Sequence, residues 1–141
     1  MSEMIRPDNL KSSKIASGEI GGRKESPEDA RRVQEIERIW KAAANEGDAW
    51  EEKFRSLPIM EEARDEERPE IMEADAKSAA YAAIRGIFAR ASQIADSKER
   101  LRSIRLELVN EAARLATQQS EAAVIKRHVI SDVKKELGDV L

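Results

Sequence analysis

Apolar side chains recur at intervals of three and four residues along most of the chain, which is the period of an amphipathic α-helix. Three segments carry this pattern, 27–57, 58–95 and 97–137, and each is predicted to be helical. The few β-branched residues also stand at helical spacing, and no segment shows the alternation of a half-buried strand. The pattern therefore predicts an all-α protein.

The first segment has clear start and stop signals. Ser26 can serve as an N-cap with Pro27 in the first turn, and Pro58 ends the helix. We predict that Gly47 interrupts this helix and that Asp48 caps a short second piece, which is too acidic to read DNA as a helix-turn-helix. Its apolar face consists of Val33, Ile36, Trp40 and Ala43, continued by Trp50, Phe54 and Leu57.

Alanine dominates the second helix, which is predicted to run from Glu70 to about Ala95. A seam of small side chains lets a neighbouring helix approach closely, toward the short end of the usual range of about 8–10 Å between axes. Ile84 and Phe88 lie beside this seam. The seam consists of Ala76, Ala80, Ala83, Ile87, Ala91 and Ile94.

The third segment predicts one continuous helix, capped near Asp96 and ended by Gly138. Its apolar stripe is Leu101, Ile104, Leu108, Ala112, Leu115, Gln119, Ala122, Ile125, Val129 and Val133. Such a helix spans about 60 Å, whereas a compact domain of this size has a radius of gyration of about 14 Å. We therefore expect an antiparallel neighbour of similar length or a second copy of the same helix.

These helices predict an elongated antiparallel helical bundle, or a long helical hairpin with a third helical arm. Residues 26–141 are expected to form a single helical domain. Residues 1–25 are predicted to be a flexible, disordered N-terminal arm, because they contain three glycines and no helical period. The arm is interpreted as a solvated tail or as a peptide that becomes ordered on a partner.

Composition indicates that the core is small. Of the 141 residues, 21 are alanine, and only two Trp, two Phe and one Tyr are aromatic. Because alanine removes little surface from water, we expect burial to be supplemented by a partner chain, in a homodimer or a higher oligomer with coiled-coil-like packing. The absence of cysteine excludes disulfides and thiolate chemistry. No segment has the apolar length of a signal peptide or membrane span, so a cytoplasmic location without membrane association is expected.

Charge is unevenly distributed in a chain whose net charge is −3. The block 61–75 holds eight acidic and two basic residues, and it is interpreted as a solvated face, a docking patch or, least of all, a metal site. The half from 76 onward is basic. Its candidate phosphate contacts are Lys98, Arg100, Arg102, Arg105, Lys126, Arg127, Lys134 and Lys135. Interleaved carboxylates favour a mixed helix surface instead.

The residues that carry catalysis in most enzymes are scarce. His128 is the single histidine, and Ser131 and Asp132 follow it at helical spacing. Because a contact with Asp132 is an ordinary pair on a helix surface, we expect an exposed or half-exposed structural histidine. The sequence therefore predicts neither catalytic residues nor a cofactor or metal site. The predicted function is a non-catalytic helical module for protein–protein interaction or oligomerisation. The alternative is a nucleic-acid-associated accessory protein that recruits a DNA-processing partner. The predicted partner interface consists of Trp40, Trp50, Phe54, Ile84 and Phe88.

Overall fold

The computed structural model describes residues 26–140, and every regular element among them is helical. Four α-helices are present: α1 Pro27–Ser56, α2 Arg68–Ala91, α3 Ser97–Ala116 and α4 Glu121–Gly138. The chain divides into two compact units, 1–30 and 31–141, which are described separately. The prediction of an all-α antiparallel bundle is confirmed, although four helices replace the three expected. The predicted arm, 1–25, lies outside the described residues.

The start of α1 belongs to the first unit, and it shows the predicted cap. The backbone N–H of Asp29 donates a hydrogen bond to Ser26 Oγ at 3.1 Å, and Pro27 is the first helical residue. Ser26 is therefore confirmed as the N-cap, because its hydroxyl satisfies a backbone donor that has no partner within the helix.

In the second unit, the predicted interruption of α1 at Gly47 is wrong. The helix runs unbroken through this residue to Ser56. Gly47 is buried where α1 meets α2, and a Cβ added there would stand 2.8 Å from the Cβ of Tyr81. The glycine therefore permits close packing of two helices and makes no turn. The predicted cap at Asp48 is therefore also wrong, and the Asp48 carboxylate instead pairs with Arg85 of α2 at 2.9 Å.

Two short 3-10 turns, Met60–Glu62 and Asp65–Glu67, connect α1 to α2. Pro69 lies in the first turn of α2, where its missing N–H costs no helical hydrogen bond. The helix ends at Ala91, four residues earlier than predicted. Most of the predicted seam is buried, namely Ala76, Ala80, Ile87 and Ala91, with Ala83 and Ile94 half-buried.

The predicted continuous helix over 97–137 is also wrong, because the chain breaks between Ala116 and Glu121. Thr117 forms the C-cap of α3. The hydroxyl of Ser120 accepts the N–H of Ala123 at 3.1 Å and so caps α4. The polar run Thr117 to Ser120 offers the side-chain hydrogen bonds that compete with a helix.

The break changes which residues of α4 face the core. The buried residues of α4 are Ala123, Val129, Ile130, Val133 and Leu137. The predicted stripe members Ala122 and Ile125 are only half-buried, and Gln119 is exposed. With 20 residues in α3 and 18 in α4, each helix is no more than about 30 Å long. The length of the last helix therefore no longer argues for a partner chain.

The core lies where α2 contacts both α3 and α4, and α3 contacts α4. Its largest buried side chains come from all four helices and include Ile36, Ile39, Ile84, Phe88, Ile104, Leu108, Leu115, Ile130 and Leu137. Arg105 of α3 fixes the end of α4 by donating to the carbonyl oxygens of Leu137 at 2.6 Å and Val140 at 2.9 Å. Within 26–140, no helix has the length and apolar character needed to cross a membrane.

Candidate interaction surface

Two of the five predicted interface residues are core residues of this chain. Ile84 and Phe88 are almost completely buried in α2. Trp40 of α1 is half-buried and stacks on Phe88, with 6.2 Å between ring centroids. Ile84 and Phe88 therefore offer no side-chain surface to a partner in this fold, and the main contact of Trp40 is with the core.

Trp50 joins α1 to α2. Two ammonium groups lie over its ring, that of Lys77 at 4.4 Å and that of Lys53 at 5.2 Å from the ring centroid. Each lysine also pairs with a carboxylate of α2: Lys53 with Glu70 at 3.2 Å and Lys77 with Glu73 at 3.0 Å. Cation–π contacts of this kind stabilise exposed sites by about 0.5–1 kcal/mol. These contacts within the chain therefore explain the presence of Trp50 without a contact to a partner protein.

Phe54 is the one predicted interface residue that is exposed, with 37 % of its surface accessible. Trp40 also borders a surface depression of about 590 Å³ on α1, whose lining includes Glu37, Arg38, Lys41 and Ala44. The structure brings Trp40 and Phe88 together, but it does not gather the five predicted residues into one surface.

The outer face of α3 carries a second apolar surface. Leu106 is 58 % and Val109 is 45 % exposed, and Ala113 and Ala116 are exposed as well. Their spacing of three, four and three residues places them on one side of the helix. We call these four residues the outer strip. The opposite side of α3 faces the core through Leu101, Ile104, Leu108 and Leu115.

A helix with apolar residues on two sides typically packs against neighbours on both of those sides. In the described part of this chain, α3 contacts α2 and α4, and Arg32 of α1 donates a hydrogen bond to the buried Ser97 at the start of α3 at 2.8 Å. These contacts lie on the inner side of α3. The outer strip is not part of the predicted interface, because the predicted apolar stripe of this helix runs through Leu101 and Leu115. The signal was nevertheless present in the second series of apolar residues with helical spacing.

Charged residues continue the outer strip at one end. Lys98 and Arg102 are exposed and lie on the same side of α3, four to eight residues before Leu106. Because Arg102 pairs with Glu99 at 2.6 Å, this end of the strip has a small net positive charge. At the other end, beyond Ala116, the last carbonyl groups of α3 form the negative end of the helix dipole.

A groove of about 430 Å³ lies between α2 and α3. Its lining includes Arg90, which pairs with Glu107 at 2.6 Å, and Arg114, which pairs with Glu111. The hydrogen bond from Arg114 lowers the pKa of the Glu111 carboxyl. Because these charges are neutralised in pairs, the groove presents no strong field to a charged ligand.

The acidic block 61–75 makes local and inter-helix contacts. Glu67 accepts hydrogen bonds from the backbone N–H of Arg64 at 2.9 Å and from its guanidinium at 3.3 Å, and these bonds lower the pKa of Glu67. Glu70 and Glu73 pair with the lysines around Trp50. Part of the block therefore holds α2 against α1.

Several basic residues considered for phosphate binding have structural partners. Arg100 Nε donates to the carbonyl of Ile94 at 3.0 Å, while Arg102 and Arg105 make the contacts given above. His128 is exposed on α4, as predicted. Nucleic-acid binding by the C-terminal half stays a prediction.

Within residues 26–140, no group of three His, Asp or Glu side chains is placed to hold a metal ion. Among the large apolar residues that are exposed in this part of the chain, Leu106 and Val109 are the two that share one face of one helix, whereas Phe54, Ile59 and Val124 lie elsewhere. Comparison of the chain with protein-family models, with curated proteins and with solved structures gives no significant match.

Proposed function

We propose that this protein is a non-catalytic helical interaction module that associates through the outer strip of α3. The observation that supports this proposal is the exposure of Leu106 and Val109 on a helix that is already amphipathic toward the core. Apolar side chains clustered on one exposed helix face are typical of protein–protein contact sites.

The size of the strip sets the strength of the interaction. Full burial of a Leu or Val side chain contributes about 1.5–3 kcal/mol. Because Leu106 and Val109 are already about half-buried, covering the rest adds about 1 kcal/mol for each residue. Association costs at least about 4 kcal/mol in lost translational and rotational freedom. Burial of these two side chains alone therefore does not offset the cost of association. Binding requires further contacts from the partner's surface, and we expect it to be weak and reversible.

Site-specific photo-crosslinking, carried out in the cells that produce the protein, tests this function. A photoreactive benzophenone side chain replaces Leu106 in one variant and Ala89 in a control. Ala89 is an exposed helical residue of α2 that lies outside the strip. We expect the variant at position 106 to form covalent adducts with protein after irradiation and the variant at position 89 to form far fewer.

Equal adduct yields from the two positions, or no adducts from position 106, would contradict the proposal. Circular dichroism of both purified variants shows whether the helical fold is retained. The mass of the adduct then separates association with another chain of this protein from association with a different protein.

A further inference from the structure

The outer strip has a regular order of large, small and charged residues along α3. Val109 lies at its middle, with Leu106 three residues before it and Ala113 four residues after it. Arg102 lies seven residues before Val109, and Ala116 lies seven residues after it. A two-fold axis beside Val109 therefore brings Leu106 of one helix close to Ala113 of an antiparallel partner helix.

This order makes the strip complementary to itself. A large side chain facing a small one lets two helices pack without a void or a clash. The same axis places Lys98 and Arg102 of one chain beside the C-terminal end of α3 in the other, where the helix dipole favours cations. In a parallel arrangement, these two basic residues would face their own copies, and like charges repel.

We propose that a second copy of this chain covers the outer strip, with the two α3 helices antiparallel and Val109 beside the axis. The contact is isologous, so each chain offers the same surface and association stops at a dimer. This inference rests on the proposed function of the strip and adds the identity and orientation of the partner.

Single cysteines test this arrangement cleanly, because the natural chain has none. A disulfide forms only where two Cα atoms come within about 7 Å of each other. Oxidation with copper phenanthroline should join Val109→Cys in the 141-residue chain to its own copy through a disulfide. We expect it to react at least about tenfold faster than Ala89→Cys, because association raises the effective concentration of the two thiols.

Orientation is tested with an equimolar mixture of Leu106→Cys and Ala113→Cys chains. An antiparallel pair places position 106 opposite position 113, so mixed disulfides should exceed both self-disulfides. Mass spectrometry of the joined peptides measures this ratio. A parallel pair gives the reverse result and would overturn the proposed orientation.

If Val109→Cys reacts no faster than Ala89→Cys, the second copy is not the occupant of the strip. The photo-crosslinking from position 106 then decides the wider question. Adducts with a different protein would leave the interaction function standing and exclude the dimer. The absence of any adduct would exclude both.

Discussion

Gly47 gives the most direct test of the packing between α1 and α2. In an exposed helix interior, Gly→Ala stabilises a protein by about 0.5–1 kcal/mol, because alanine loses less backbone entropy on folding. Here the new Cβ would stand 2.8 Å from the Cβ of Tyr81, an atom that cannot move unless the backbone of α2 moves. Overpacking of this kind costs about 1–3 kcal/mol. We therefore expect Gly47→Ala to lower the free energy of unfolding by about 1 kcal/mol net.

The chain supplies two matched controls. A Cβ at Gly86 would meet only the end of the Arg90 side chain, at 3.3 Å, and one at Gly138 would meet nothing within 4 Å. Gly86→Ala should stabilise by about 0.5–1 kcal/mol, since the flexible guanidinium can move aside. Urea unfolding followed by circular dichroism compares the three variants. If Gly47→Ala stabilises the protein as much as Gly86→Ala does, the close contact with Tyr81 is refuted.

Three further predictions concern caps and titration. Ser120→Ala should lower the free energy of unfolding by about 1 kcal/mol in urea unfolding, whereas a continuous helix through residue 120 would be stabilised by alanine. Arg105→Ala should lower the free energy of unfolding by about 1–2 kcal/mol and speed amide hydrogen exchange in the last turn of α4. Unchanged exchange there would contradict the stabilising role of the hydrogen bonds from Arg105 to the end of α4. Desolvation, reinforced by Glu46, Asp132 and Glu136, raises the pKa of Tyr81. The free energy of unfolding should therefore fall as pH rises above about 10, the pKa of an unfolded tyrosine. Ultraviolet titration of this single tyrosine should show a midpoint above that value. A midpoint at or below it would refute the burial of Tyr81.

The helices themselves were predictable from the sequence, because start signals and apolar periodicity agree. Ser26 and Asp96 cap helices as expected, and α1 ends just before Pro58. The alanine seam of α2 is also buried largely as predicted. These features depend on residues near each other in the chain, and local preference and burial favour the same structure.

The incorrect predictions concern features of the structure that depend on contacts between helices. Gly47 has the local signature of a turn, but its role depends on Tyr81, which lies 34 residues further along the chain. The break before Ser120 was missed because the stripe kept its spacing when Gln119 was counted as a core position. Burial of Ile84 and Phe88 likewise depends on α1 and α4, whose positions no single helix specifies.

The outer strip could have been found from the sequence, because Leu106, Val109, Ala113 and Ala116 already stand at helical spacing. What the sequence could not show is which of the two apolar sides of α3 remains uncovered. That distinction requires the arrangement of α2 and α4 around the inner side. The strip is therefore a finding of the structure, and its function is a proposal.

Native mass spectrometry of the affinity-purified protein tests the interaction function most directly. The chain has a mass of 15.8 kDa, and we predict that it is carried in a heavier assembly. Leu106→Glu should shift it to the mass of the single chain, because a charge in the strip opposes burial, while circular dichroism remains unchanged. An unmodified chain found only as a monomer at high micromolar concentration, or an assembly that persists in Leu106→Glu, would contradict the account.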